Sequence, residues 1–297
     1  MNSTIKNLIM AVAENDHKKA RAYAGVIISA DKTEANRQFC IKASSKLKEP
    51  IINLTKLPAS VQGKIKAEDV SSTFRKDRYF LAEEENRIAR EVYEMYAVSG
   101  RLAEMGINYV NALMLYGESG TGKTMFGKYI AYILELPFFY MSFAQAISSY
   151  LGSTGRNVES VFEFVRDNKC VFMIDEIDSI GMTRGKEDVG EMARIVISLM
   201  QELDCLSGET VLIGATNRID MIDPALLRRF SMQHEVKRLQ RQDRISLVTQ
   251  YLESIGAKYS LENVESYCNP DKSQAEIIND IVRSVAASIR NGGDIEL

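Results

Sequence analysis

The sequence predicts an α/β fold: a parallel five-stranded sheet flanked by helices, with a helical element before it and a helical lid after it. Three observations carry that expectation. Residues 111–116 (Asn-Ala-Leu-Met-Leu-Tyr) form a short apolar run of buried-strand type. A glycine-rich loop then leads into 123–134, where Phe126, Tyr129, Ile130 and Ile133 recur at helical spacing. Further strand-like runs alternate with helical segments, the pattern of a sheet covered on both faces, whereas residues 241–297 read as helices only.

The elements follow in order. Ile5, Leu8, Ile9 and Val12 place a helix within 4–28, and Asp31-Lys-Thr-Glu34 resembles a capping box that opens a second helix, so the two would form a hairpin. Pro50 and Pro58 punctuate a less regular stretch, read as a linker, up to about Arg78. A third helix is expected over 82–99, with Glu83, Glu84 and Glu85 in its first turn, where acids favour the helix dipole, and Gly100 closing it. The remaining strands are expected at 137–142, 170–174, 210–215 and 232–236, with helices at 157–166 and 191–203 and a short one before them. Gly256, Pro270 and Gly292-Gly293 break the C-terminal helices. The organisation is therefore a helical recruitment element and linker at 1–78, an α/β core at 79–237 and a lid at 238–297.

Composition narrows the class. The chain of 297 residues is 45% hydrophobic and 26% charged, ordinary for a globular protein. The apolar stretch 8–13 is too short for a signal-peptide core, and no later one approaches the ~18 residues of a spanning helix. Cys40, Cys170, Cys205 and Cys268 are far apart and there are only two histidines. That argues against a zinc site or disulfide framework and fits a reducing cytoplasm, with Cys170 and Cys205 as small buried hydrophobes. Charge is uneven: residues 1–78 hold 15 Lys and Arg against 8 Asp and Glu, and the rest 22 against 32. The basic quarter would suit an acidic protein or nucleic acid, or it is a set of solvated helix faces.

Residues 117–124, Gly-Glu-Ser-Gly-Thr-Gly-Lys-Thr, complete the pattern G-x-x-x-x-G-K-[ST] of a phosphate-binding P-loop. Its glycines let backbone N–H groups converge on phosphate oxygens. Lys123 can reach the β- and γ-phosphates, the Thr124 hydroxyl can hold Mg²⁺, and the helix N-terminus adds partial positive charge. The nucleotide-binding set is Gly117, Glu118, Ser119, Gly120, Thr121, Gly122, Lys123, Thr124, Met125 and Asp175. The apolar strand at 171–174 ends in Asp175 and Glu176, one carboxylate to orient Mg²⁺ and one to polarise an attacking water. ATP and Mg²⁺ are the expected substrate and cofactor, within a P-loop NTPase fold.

Three runs in order make a closer resemblance: 117–124, 173–181 (Met-Ile-Asp-Glu-Ile-Asp-Ser-Ile-Gly) and 214–230 (Gly-Ala-Thr-Asn-Arg-Ile-Asp-Met-Ile-Asp-Pro-Ala-Leu-Leu-Arg-Arg-Phe). They resemble the AAA clade of AAA+ ATPases over about 79–290. The resemblance implies that Asn217 senses the γ-phosphate and helps position water. The Leu-Arg-Arg-Phe form is similar to the katanin and spastin type and implies that Arg228 and Arg229 are arginine fingers for a neighbouring subunit's nucleotide. Such a finger accelerates hydrolysis by roughly 10³–10⁵-fold. Tyr150-Leu151-Gly152 resembles the aromatic pore loop that grips an extended polypeptide, and 182–186 is placed like a second pore loop. The runs Ser-Ser-Tyr-Leu-Gly and Leu-Arg-Arg-Phe also resemble bacterial and phage ATPases.

The sequence departs from that family at several points. Glu118 and Ser119 stand where prolines are usual, and a carboxylate beside phosphates is unhelpful unless it points away. The Gly-Ala-Asp/Glu step of the last lid helix reads Gln274-Ala275-Glu276, without a lid arginine, and the Gly-Arg-Phe-Asp-Arg ending is absent.

The expected function is ATP hydrolysis coupled to protein remodelling, unfolding or disassembly by a ring or spiral of identical subunits, hexameric by resemblance. A protein substrate would pass the pore, with a separate peptidase or adaptor as partner. Two other classes remain open: a loader-like nucleic-acid-associated ATPase using the basic N-terminal region, and a nucleotide-switched scaffold.

Overall fold

A computed structural model describes residues 3–13, 17–31, 33, 36–48, 57–148, 154–181 and 188–291. The chain divides into two compact units, residues 1–57 and 58–297.

The first unit holds three helices, α1 (Ser3–Ala13), α2 (His17–Ala30) and α3 (Arg37–Lys48), where the sequence pattern suggested two. The additional boundary lies between α1 and α2, inside the expected first helix. Asp31 follows α2, and its carboxylate accepts from the backbone N–H and hydroxyl of Thr33 and from the Asn36 amide; Glu34 of the expected capping box lies outside the described residues. Such local side-chain bonds are how Asp competes with helix continuation.

The second unit is built on a six-stranded sheet. Its strands are β1 (Lys66–Glu68), β2 (Asn111–Tyr116), β3 (Phe138–Ser142), β4 (Cys170–Asp175), β5 (Thr210–Thr216) and β6 (Met232–Glu235), in the order β1-β3-β4-β5-β2-β6. Five run parallel, as expected. The sixth, β1, pairs antiparallel at the edge, with Lys66 opposite Tyr140. Residues 58–78, expected as linker, thus contribute a strand and the short helix α4 (Val70–Thr73), whose Val70 and Phe74 are buried. Three residues are too few for a period-2 pattern to stand out.

Helix α5 (Glu83–Glu104) runs one turn past Gly100; the chain leaves it at Gly106, which takes φ 75°. Ile88, Ala89 and Val92 face the core, and the Asn111 amide donates to the Val92 carbonyl at 2.8 Å, tying helix to sheet. Helix α6 (Lys123–Leu134) buries Phe126 and Ile130 against Leu113, Met173 and Ile213. Helices α7 (Phe143–Ser148), α8 (Thr154–Arg166) and α9 (Asp188–Asp204) follow β3 and β4, and α10 (Pro224–Leu227) follows β5. A Cβ on Gly214 would lie 2.8 Å from the Phe230 ring, so this strand glycine is the space that the ring fills.

Cys170 is buried as expected, but Cys205 is exposed: it falls in the turn after α9, and the next residue, Leu206, takes the buried place.

The C-terminal segment expected as a lid holds α11 (Arg241–Ser254), α12 (Leu261–Tyr267) and α13 (Gln274–Asn291). Val248, Leu252, Val264, Cys268, Ile277 and Ile281 form its own core, against which Phe80 and Ala82 pack from the segment before α5.

Candidate active site

The sheet register brings the chemistry to one edge. Tyr116 is opposite Thr216 and Ser142 opposite Asp175, so β2, β3, β4 and β5 end level, and the residues just beyond them share one crevice. In open α/β sheets this crevice beyond the strands' carboxyl ends is where ligands bind.

The phosphate loop is shaped by close approach. Gly117 has φ 139°, and a Cβ there would lie 2.4 Å from the Val236 carbonyl oxygen, an impossible contact. Gly122, at φ 99°, is the left-handed N-cap of α6, a conformation that points backbone N–H groups into the loop. Lys123 is only 8% exposed. Its ammonium donates to the carbonyls of Gly117 and Glu118, each at 2.8 Å, and to Asn217 Oδ1 at 2.7 Å. Burial lowers its pKa, while Asp175 and Asp178 pull the other way.

Across the crevice, the Thr124 hydroxyl donates to Asp175 Oδ2 at 3.3 Å, and the Tyr140 hydroxyl reaches the same oxygen at 3.2 Å. Burial, then Asp175, pushes the Tyr140 phenol up, so it stays a donor. Glu176 is exposed, sits at φ 56° and receives a 2.6 Å hydrogen bond from the Ser142 hydroxyl on Oε2. A non-glycine residue in the left-handed region is uncommon and clusters at functional sites. Behind Asn217, Thr216 donates to Asp178 Oδ1 at 2.8 Å and accepts from the Arg218 N–H at 2.8 Å, which sets the direction of the chain as it leaves β5.

This donor set fits a nucleoside triphosphate with Mg²⁺. Gly117 and Gly120 let the loop pass close beside Val236 and under Ser273 and Ala275, where a Cβ would clash, and one hydroxyl with one carboxylate is the small protein share that Mg²⁺ takes when phosphates supply the rest. Among the described residues there is no group of three or more His, Cys, Asp or Glu placed to hold a metal alone.

Residues 113–238 match the family described as ATPase family associated with various cellular activities (AAA). They span the phosphate loop, Asp175, Glu176 and Asn217. These residues are an AAA ATPase domain.

Related proteins agree with that assignment. The chain is similar to the peroxisomal ATPase pex6 of Schizosaccharomyces pombe, 37% identical over 153 residues, which is 49% of this chain and 16% of that protein. It is also similar to the peroxisomal ATPases PEX6 of Candida glabrata (41% over 129 residues) and Yarrowia lipolytica (42% over 130 residues), in each case over 41% of this chain and 13% of the relative. The matched region is thus a small part of each relative's length.

In this AAA domain the acidic loop position has a partner. The Glu118 carboxylate turns away from the loop interior to Arg238, whose Nε donates to its Oε2 at 2.6 Å. Ser119 lies beside it, exposed, and the Thr121 hydroxyl donates to the Glu118 carbonyl at 2.9 Å. Gly120 lies under the lid: its carbonyl accepts from the Ala275 N–H at 3.0 Å, and Gln274 Nε2 donates to the Lys237 carbonyl at 3.0 Å. Met125, on the first turn of α6, is exposed.

The two arginines after α10 differ. Arg229 makes a two-pronged pair with Asp204, both contacts at 2.8 Å, and donates to the Ala225 carbonyl. Arg228 is exposed, with no partner for its guanidinium among the described residues. Tyr150, Leu151 and Gly152, and the stretch 182–186, lie outside the described residues. Ser142, Tyr140 and Arg238 were not legible as site residues, because only strand pairing and lid docking bring them to the crevice.

Proposed function

We propose that the AAA domain hydrolyses ATP with Mg²⁺ and couples hydrolysis to remodelling of a protein partner within a ring or spiral of identical subunits. The observation that carries the hydrolytic part is the convergence of Lys123, Thr124, Asp175, Glu176 and Asn217 at the level ends of β2, β4 and β5. Lys123 and the loop N–H groups would hold the phosphates, and Thr124 and Asp175 the metal, which supplies charge neutralisation at the transferring group. Glu176, oriented by Ser142, is placed to take a proton from water, and Asn217 to orient that water.

The remodelling part is supported by the likeness to the peroxisomal ATPases and by Tyr150-Leu151-Gly152 as a substrate-gripping loop, where an aromatic side chain can hold many sequences. Arg228 and Arg229 serve the neighbouring subunit's site, Arg228 being the one with a free guanidinium. The Leu-Arg-Arg-Phe run supports the katanin and spastin kind of shared site, and a hexamer is the assembly that fits it. No described helix is long and apolar enough to cross a membrane.

The test is ATP turnover per subunit across a wide protein concentration range, with sizing at each point. A rise that tracks assembly and is lost in Arg228→Ala supports a shared site. Full turnover by a sized monomer would overturn it.

A further inference from the structure

The phosphate loop carries a carboxylate, Glu118, at its second position. The loop turns that residue inside out. Its backbone carbonyl faces inward and accepts from Lys123 and the Thr121 hydroxyl, while its side chain, 67% exposed, leaves the loop. Arg238 meets it there. The same guanidinium reaches Asp271, with Nη1 3.5 Å from Oδ2 and 3.4 Å from the backbone carbonyl. Asp271 is anchored in turn by Arg244, which is 6% exposed and donates at 2.9 Å to Oδ1 while its other bonds go to the Leu239 and Cys268 carbonyls. The arrangement is a chain of alternating charge, Glu118–Arg238–Asp271–Arg244, that runs from the phosphate loop into the body of the lid. It lies beside the backbone contact of Ala275 with Gly120 on the loop and the amide contact of Gln274 with Lys237 just past β6.

We propose that Arg238 is a positioning residue of the nucleotide site: it holds the Glu118 carboxylate outward and neutralises it, so that an acidic phosphate loop can accept a polyanion. The proposal rests on the nucleotide-binding reading. Physically, a carboxylate released from Arg238 can swing toward the phosphates, and its negative charge then opposes three or four more. An exposed ion pair of this kind adds little to folding; its consequence is for the ligand, through a longer-range field that salt screens.

The experiment is equilibrium binding of a fluorescent N-methylanthraniloyl-ATP with Mg²⁺ to the full chain at low and high salt. Arg238→Ala should weaken binding by about tenfold at low salt, the scale of one charge acting on a polyanion near the surface, and the defect should shrink at high salt. The matching diphosphate should be weakened less. Arg238→Lys should recover part of the loss, and Glu118→Gln combined with Arg238→Ala should recover most of it. A loss in Arg238→Ala that Glu118→Gln does not relieve would overturn the proposal, because Arg238 would then be touching the nucleotide itself. An unchanged affinity would overturn it too. Lys123→Ala separates this from failure of the site assignment: if that variant still binds fully, the phosphate-loop reading is what fails.

Discussion

Lys123 and Asn217 are joined directly, ammonium to amide oxygen at 2.7 Å, although 94 residues separate them in the chain. The bond crosses from the start of α6 to the end of β5, so the group proposed to bind phosphate and the group proposed to read the γ-position touch each other directly. A triphosphate that engages Lys123 must compete with Asn217 for the same ammonium.

That competition makes Asn217→Asp informative. A carboxylate at this distance would convert a charge-assisted hydrogen bond into an ion pair and hold Lys123 more tightly. ATP affinity should fall by about tenfold or more, whereas Asn217→Ala should retain binding and lose turnover. Equal affinity of the two variants by calorimetry would show that the Lys123–Asn217 bond does not bear on nucleotide binding.

Glu176→Gln keeps an acceptor for the Ser142 hydroxyl but cannot take a proton. Turnover should drop by at least about 10²-fold, the usual contribution of a general base, with ATP affinity preserved. Single-turnover rates measure this directly, and near-normal rates would assign the base elsewhere.

Arg229 is tied to Asp204 on α9, a half-exposed pair that contributes less than about 1 kcal/mol to folding. Asp204→Asn should therefore leave Tm within a few degrees of the parent. It should nonetheless reduce turnover of the assembled protein several-fold, because Arg229 loses the partner that holds its guanidinium flat. Arg228→Ala should abolish the assembly-dependent rise outright. Unaltered turnover in Asp204→Asn would mean that the pair only closes the surface.

Glu85 carries a pH dependence of stability. It is 7% exposed, near Glu84 and Asp243, with its Oε2 accepting from the Ala82 N–H. Burial raises its pKa to about 7, opposed by that hydrogen bond and reinforced by Asp243 and Glu84. A carboxyl raised in the folded state binds a proton there that the unfolded chain has already released. Stability from this group is therefore full below the ordinary carboxylate range and falls as pH rises through about 7, by about 3 kcal/mol in all. Glu85→Gln should remove the fall and be the more stable protein at pH 8. Denaturant unfolding at pH 5 and pH 8 reads this out, and parallel behaviour of variant and parent would contradict it.

Much of this molecule was legible residue by residue because its chemistry is local. The phosphate loop needs its glycines, lysine and threonine within eight positions, and β4 needs only an apolar run ending in acids. The fold class, five strands and α6 follow from periodicities of the same short range. What failed was also local in cause: Gly100 looked like a helix stop because a glycine so often is one, yet α5 continues to Glu104 and the chain turns at Gly106 instead. The edge strand β1 was too short to register.

The sequence by itself carried the phosphate-loop pattern and the residues proposed for a nucleotide site, since hydrogen-bonding groups held on a short loop need no distant help to be recognised. Tertiary structure alone decided who faces whom. Strand register set Ser142 beside Glu176, the packing of α6 on the sheet set Thr124 against Asp175, and lid docking gave Glu118 its Arg238. The physical reason is that a side chain's partner is fixed by the packing of elements far apart in the chain, and a pattern read along one strand or helix contains no record of its neighbour.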